Sequence, residues 1–201
     1  QGVSSAASDV YKRQEETFNQ LIDTQYGAQA RRALLEIYQR EKEWERAIQA
    51  AHALQESGAG GRQKEIAQFY CELAQDELVH THPDAAITLL EKALAADRKS
   101  VRATILLGDA QLAQGDTELA LLTWRRVEHQ SVPHVALVAQ RLMDGYRAVG
   151  RAQEGVNLLK FYLAEASSID LLEVVFKAVL ELEGVDAANQ MVSDESVSYT
   201  H

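Results

Sequence analysis

Apolar side chains recur along this chain at spacings of one, three and four residues, as in Leu34, Leu35 and Tyr38, Leu73 with Ala74, and Leu142 with Tyr146. Such spacing keeps each set on one stripe of a helix, and strand-like alternation is absent over any useful length. The helices come in pairs. The second member of each pair carries a small residue at a fixed point, Ala47, Ala86, Ala120, Gly155 and Ala188, and a bulkier one four residues later, as in Leu90, Trp124 and Leu159. A larger side chain at the small position would push the paired helix away. Turn signals fall between the helices at Gly115 and Gly150, and Pro83 and Pro133 stand at helix boundaries, where a missing N–H costs little.

From Ala86 to Ala120 the interval is 34 residues, and the other intervals are 39, 35 and 33. A period of 34 resembles that of the tetratricopeptide repeat, a helix pair that cannot bury its apolar face alone and stacks on its neighbours. The predicted fold is therefore all-α, a tetratricopeptide-repeat solenoid of about five helix pairs in a right-handed superhelix, truncated at both ends. Repeats are expected near 28–61, 67–100, 101–134, 136–168 and 169–192 within an array over 15–192. The surplus of the 39-residue interval is assigned to the glycine-rich run "ESGAGGRQK". Two positions depart from the signature: Glu77 and Gln111 stand where an aromatic is usual, which marks degenerate repeats.

The ends read differently. Residues 1–14 and 193–201 show no stripe in register and are expected to be non-native or disordered tails, of the kind that translated sequencing adaptors leave on gene fragments. The segment "EETFNQLIDTQYG", with Phe18 and Leu21, reads as the second helix of a repeat whose first is missing, and the natural protein is expected to be longer at both ends.

Composition narrows the function. With 46% hydrophobic and 25% charged residues the chain can bury a long core, and a net charge of −10 disfavours nucleic acid as a partner. No segment reaches the roughly 18 apolar residues of a membrane span. A single cysteine, Cys71, fits a reducing compartment, so a cytoplasmic location is expected.

Chemistry-bearing residues are few. Gly58, Gly60 and Gly61 with Arg62 and Lys64 lack the spacing of a phosphate loop and read as a linker. His80 and His82 sit in a turn with no third ligand nearby, Cys71 has no neighbouring base, and Trp44 and Trp124 read as core. No catalytic, cofactor-binding or metal site is expected, and the chain is read as a binding protein rather than an enzyme.

Taking the small residue as position 20 of each repeat, the inward positions of the first helices give a predicted partner-binding groove. It comprises Gln29, Arg32, Glu36 and Gln39, then Gln68, Cys71 and Gln75, then Arg102 and Asp109, then Gln140, Asp144 and Arg147, with Leu78, Ile105, Leu112 and Leu137 as apolar neighbours. Repeat proteins that hold the C-terminal carboxylate of heat-shock chaperones resemble one another in a Lys and Asn clamp at these positions. Neither residue occurs among them here, and a folded protein surface suits the mixed polar groove better.

The run "EIAQFYCELA", preceded by "LLEIYQREKEWERAI" and followed by "AAITLLEKALAADRKSVRA", resembles the middle of the bacterial lipopolysaccharide assembly protein B family. The resemblance covers roughly Glu15 to Val192 and is strongest from Ala33 to Val127. It implies an adaptor with an N-terminal inner-membrane anchor, a cytoplasmic repeat array and a C-terminal rubredoxin-like zinc module. Such adaptors help deliver the lipid A deacetylase to a membrane-bound AAA+ protease, and a second membrane protein opposes that delivery. This chain is read as the array alone, without cofactor and without membrane insertion. The alternative is a generic scaffold of another bacterial envelope or secretion assembly.

Overall fold

The computed structural model describes residues 2–58, 60–166 and 168–198, and among them every regular element is helical. Each helix pair expected from the period is present. The pairs are α2 (Gly27–Arg40) with α3 (Trp44–Glu56), α4 (Gln63–Val79) with α5 (Pro83–Ala96), and α6 (Val101–Ala113) with α7 (Thr117–Arg125), the last followed by the single turn α8 (Val127–Gln130). Two more follow, α9 (Ala139–Ala148) with α10 (Ala152–Glu165), and α11 (Ile169–Leu182) with α12 (Val185–Ser198); α1 (Gly2–Leu21) precedes them all. The chain divides into two compact units, Gln1–Ala103 and Thr104–His201.

The crossing rule holds at each repeat. Ala47, Ala86, Ala120 and Ala188 are fully buried, as are Leu90 and Leu159, and Trp124 is 1% exposed. At Gly155 an added Cβ would lie 2.9 Å from Cβ of Tyr146, so even alanine is crowded there. The core of the first unit joins Leu34, Leu35, Ile37 and Tyr38 of α2 to Ala47, Ile48, Ala51 and Leu54 of α3 and to Ile66 and Phe69 of α4.

The turn between the two helices of a repeat is built the same way four times. The Glu43, His82, Asp116 and Arg151 amides donate to the carbonyls of Tyr38 (2.8 Å), Glu77 (2.8 Å), Gln111 (3.0 Å) and Tyr146 (2.8 Å), the long bond of a Schellman cap. That cap needs a left-handed residue just before the donor. Gly115 and Gly150 supply it in the second unit, whereas Lys42 (φ 59°) and Thr81 (φ 61°) are forced into it in the first.

Three expectations are corrected. Residues 10–14, read as part of a tail, belong to α1: Tyr11 is half-buried against the first core, Arg40 donates to its hydroxyl at 3.2 Å, and Glu15 pairs with Arg46. Tyr11, Glu15, Phe18 and Ile22 are spaced by four, three and four, so the stripe was present with a carboxylate in it. At the other end α12 runs through 193–198, and residues 199–201 lie outside the described ones. The surplus of the long interval is also placed differently. Gly58 and Gly60 do turn the chain at φ 79° and 95°, but four residues, 63–66, form an extra first turn of α4 that carries the buried Ile66. Finally, the first helix of the fourth repeat does not start at 136. Ser131 is extended, Pro133 opens a 3₁₀ turn (Val132–Leu137), and α9 begins only at Ala139.

Candidate functional site

The predicted groove residues divide between the two units, and the structure gathers some of them but not all. In the first unit Gln68, Glu72 and Gln75 follow one another along one face of α4, and Arg102 of α6 closes over them. Its Nη1 donates to Gln68 Oε1 at 3.0 Å and to Glu72 Oε1 at 2.6 Å, and its Nη2 to Gln75 Oε1 at 2.9 Å. A guanidinium held by a carboxylate and two amides has little rotamer freedom left, so this patch is preorganised. Gln29, Arg32 and Glu36 are exposed on α2, with Gln39 half-buried beside them, and they are not part of that network.

Cys71 is a correction. Register placed it in the groove, but it is fully buried, and burial pushes its thiol up to about 11, against the weaker pull of the Arg102 charge. The Ser100 side chain hydrogen-bonds to it, and the Arg102 charge is near enough to act on it.

In the second unit the polar residues form a ladder between first helices. Arg141 of α9 grips Asp109 of α6 with both arms, Nε to Oδ1 at 2.7 Å and Nη2 to Oδ2 at 3.0 Å. Gln140 donates to Asp144 at 2.8 Å, and Arg147 bridges Asp144 at 3.0 Å and Glu181 of α11 at 2.6 Å. Between α6 and α9 lies a pocket of ≈ 580 Å³ lined by Asp109, Leu112, Trp124, Arg141, Asp144, Gly145 and Ala148. Its indole wall is fixed: Trp124 Nε1 donates to the Ile105 carbonyl at 3.2 Å, and the ring passes so close to Gly108 that a Cβ there would sit 2.2 Å from Nε1.

A second cleft, of ≈ 480 Å³, opens in the first unit beside the Arg102 network, lined by Lys42, Trp44 and Glu45 of the α2–α3 corner and by Glu72, Leu73, Gln75, Asp76 and Val79 of α4. Trp44, read as core, is only half-buried and stacks on Phe69 with ring centroids 5.9 Å apart. Sequence reasoning missed Glu72, Arg141 and Glu181 as well as this cleft. The available signal was charge at repeat spacing: the Arg147–Glu181, Arg141–Asp109 and Arg102–Glu72 partners lie 34, 32 and 30 residues apart.

The remaining candidates are turn residues. His80 and His82 are exposed, with Nδ1 atoms 2.8 Å from the Asp76 carbonyl and 2.9 Å from Glu77 Oε2 respectively. Glu77, at the usual aromatic position, thus serves the turn, while Gln111 at the equivalent place is buried with its Oε1 unpartnered. Among the described residues no three His, Cys, Asp or Glu side chains cluster to hold a metal. Also among them, no helix is long and apolar enough to cross a membrane.

Comparison with known proteins agrees with the fold. The tetratricopeptide-repeat family model matches residues 71–131. Over 189 residues, 93% of this chain and 48% of that protein, the chain is 34% identical to lipopolysaccharide assembly protein B of Escherichia coli (strain K12). The protein of the same name from Haemophilus influenzae is 27% identical over 186 residues, 89% of this chain and 45% of that one. The chain therefore spans about half the length of the curated relatives it matches. Among solved structures the MamA protein superposes with a TM-score of 0.52 at 15% identity, covering 85% of this chain and 90% of that one. The fold is that of an all-α tetratricopeptide-repeat solenoid, and the chain's similarity to lipopolysaccharide assembly protein B runs over nearly all of it.

Proposed function

We propose that the chain is the partner-binding array of a regulator of lipopolysaccharide synthesis, a non-enzymatic scaffold on the cytoplasmic side of the bacterial inner membrane. Its repeats hold the lipid A deacetylase for delivery to a membrane-bound AAA+ protease. The 34% identity to lipopolysaccharide assembly protein B over 93% of the chain carries this reading. The geometry supports a binding role: guanidinium and carboxylate groups along the first helices are held in place before any partner arrives, and the lone thiol is buried and protonated at neutral pH. Delivery to a membrane-bound protease requires the array to be held at the membrane, and no described helix can cross one, so the isolated chain is expected to bind without promoting proteolysis. It also carries no stoichiometric zinc, which elemental analysis checks.

A pull-down with purified deacetylase tests the assignment. Reversing Arg102 and Arg147 to Glu removes the two cations that organise the patches and is expected to weaken capture about tenfold or more, with helicity unchanged. Arg102→Gln, which keeps a donor but no charge, falls between, and Glu91→Lys on α5 changes little. No capture by a folded array, or equal loss from Glu91→Lys, would remove the deacetylase and favour a scaffold of another envelope or secretion assembly.

A further inference from the structure

The cleft of the first unit combines an apolar wall with an uncompensated rim. The wall is Trp44, Leu73 and Val79, the last 74% exposed at the end of α4. Trp44 is held by its stack on Phe69 at an interplanar angle of 19°, which leaves the rest of the indole to line the cleft. Three carboxylates, Glu45, Glu72 and Asp76, face one ammonium, Lys42. Glu72 is already neutralised by Arg102 at 2.6 Å. Asp76 is not: its carboxylate is 73% exposed, and its near neighbour is a His80 nitrogen at 3.7 Å, a cation only when protonated. Glu45 is exposed at the first turn of α3.

An aromatic and aliphatic wall bordered by carboxylates suits a side chain that is apolar along its stem and cationic at its head. Arginine fits better than lysine, because its planar, weakly hydrated guanidinium stacks on indole and takes carboxylates side by side. A volume of ≈ 480 Å³ is in the range of ligand clefts and leaves room for a flanking apolar side chain. The charge of −10 steers cationic segments toward the protein before they dock. We propose that this cleft receives an arginine from a basic, extended segment of a partner protein, its stem along Trp44, Leu73 and Val79 and its guanidinium between Glu45 and Asp76. The inference rests on the scaffold reading above and names the chemistry one of its surfaces selects.

Fluorescence anisotropy on the whole chain tests it, with the labelled peptide Ser-Gly-Leu-Arg-Leu-Gly-Ser and its counterpart carrying Gln for Arg. At low ionic strength the Arg peptide is expected to bind about tenfold tighter than the Gln peptide. Glu45→Lys with Asp76→Lys abolishes that difference, as does the milder pair Glu45→Gln with Asp76→Asn, and Trp44→Leu weakens both peptides. Glu56→Lys with Glu91→Lys makes the same change in net charge away from the cleft and preserves the preference. Equal binding of the two peptides, no saturable binding of either, or equal loss from the two lysine pairs in folded protein would overturn the assignment. Deacetylase capture that survives Glu45→Gln with Asp76→Asn unchanged would overturn this cleft as its anchor while leaving the scaffold standing.

Discussion

Thr81 is a β-branched residue held in the left-handed backbone region, and replacing it with glycine should make the protein more stable. It sits at φ 61° between α4 and α5, where the second unit uses glycine at φ 91° and 72°. A left-handed backbone costs an L-residue about 1–2 kcal/mol, and a β-branched one sits at the upper end because its second γ atom crowds the carbonyl. Against that gain, glycine loses about 0.5–1 kcal/mol more chain entropy on folding. The bond from Thr81 Oγ1 to the His80 carbonyl, 2.6 Å and exposed, is also lost, but water replaces it. The difference leaves Thr81→Gly more stable by about 0.5–1 kcal/mol. Lys42→Gly, without β-branching, should gain less, and Gly115→Ala should lose about 1 kcal/mol. Urea unfolding followed by circular dichroism gives the midpoints, and hydrogen exchange of the α4 and α5 amides shows whether the change is local, since repeat arrays need not unfold in one step. A lower midpoint for Thr81→Gly, or an unchanged one for Gly115→Ala, would refute the strain argument and mean that the caps tolerate any residue.

Two further outcomes follow from packing and burial. Gly108→Ala places a Cβ 2.2 Å from Trp124 Nε1, so the whole indole must move and its bond to Ile105 must break; about 2–3 kcal/mol of stability should go, with Trp124→Phe restoring part of it in the double variant, as unfolding midpoints will show. Cys71 should react with iodoacetamide at neutral pH only as fast as the chain opens, because its thiol is buried and its pKa stands near 11. For the same reason the folded protein holds that proton more tightly than the unfolded chain, so Cys71 should contribute stability that is intact below about pH 9 and lost as the pH rises toward 11, a loss absent in Cys71→Ala.

Much of the fold was legible because packing in a repeat protein is itself periodic. Each small crossing residue named from spacing is buried, since two helices that touch at one point per repeat leave no alternative there. Legibility failed where the period is interrupted. A register counted from crossing points shows the surplus of the 39-residue interval but not its place, because a longer loop and an extra first turn of α4 lengthen that interval equally. The late start of α9 comes from Pro133, whose effect on the helix after it depends on an extended Ser131 that composition does not reveal. At α1 the stripe of Tyr11, Phe18 and Ile22 was masked by Glu15, a carboxylate on an inward face that makes sense only once Arg46 is seen opposite it.

The site was less legible, and the reason is that register assigns a side chain to a face but not to a partner. Register assigned Gln68, Gln75 and Arg102 to one face, yet what makes them one patch is Glu72, at a position the inward rule leaves out. Cys71 shows the converse: a position that register turns inward is fully buried, its thiol hydrogen-bonded to the Ser100 side chain. Both follow from the same geometry. First helices of adjacent repeats lie close enough for a long cation on one to reach a carboxylate on the other, so charges about one repeat apart are paired inside the array. Such pairs, part-exposed, add little to stability. They do fix the orientation of donors and acceptors, and a partner that docks on fixed groups forgoes the cost of ordering them. Specificity in such an array therefore rests on charges that the ladder leaves uncompensated where a cleft can present them, and in the cleft beside Trp44 those are the carboxylates of Glu45 and Asp76.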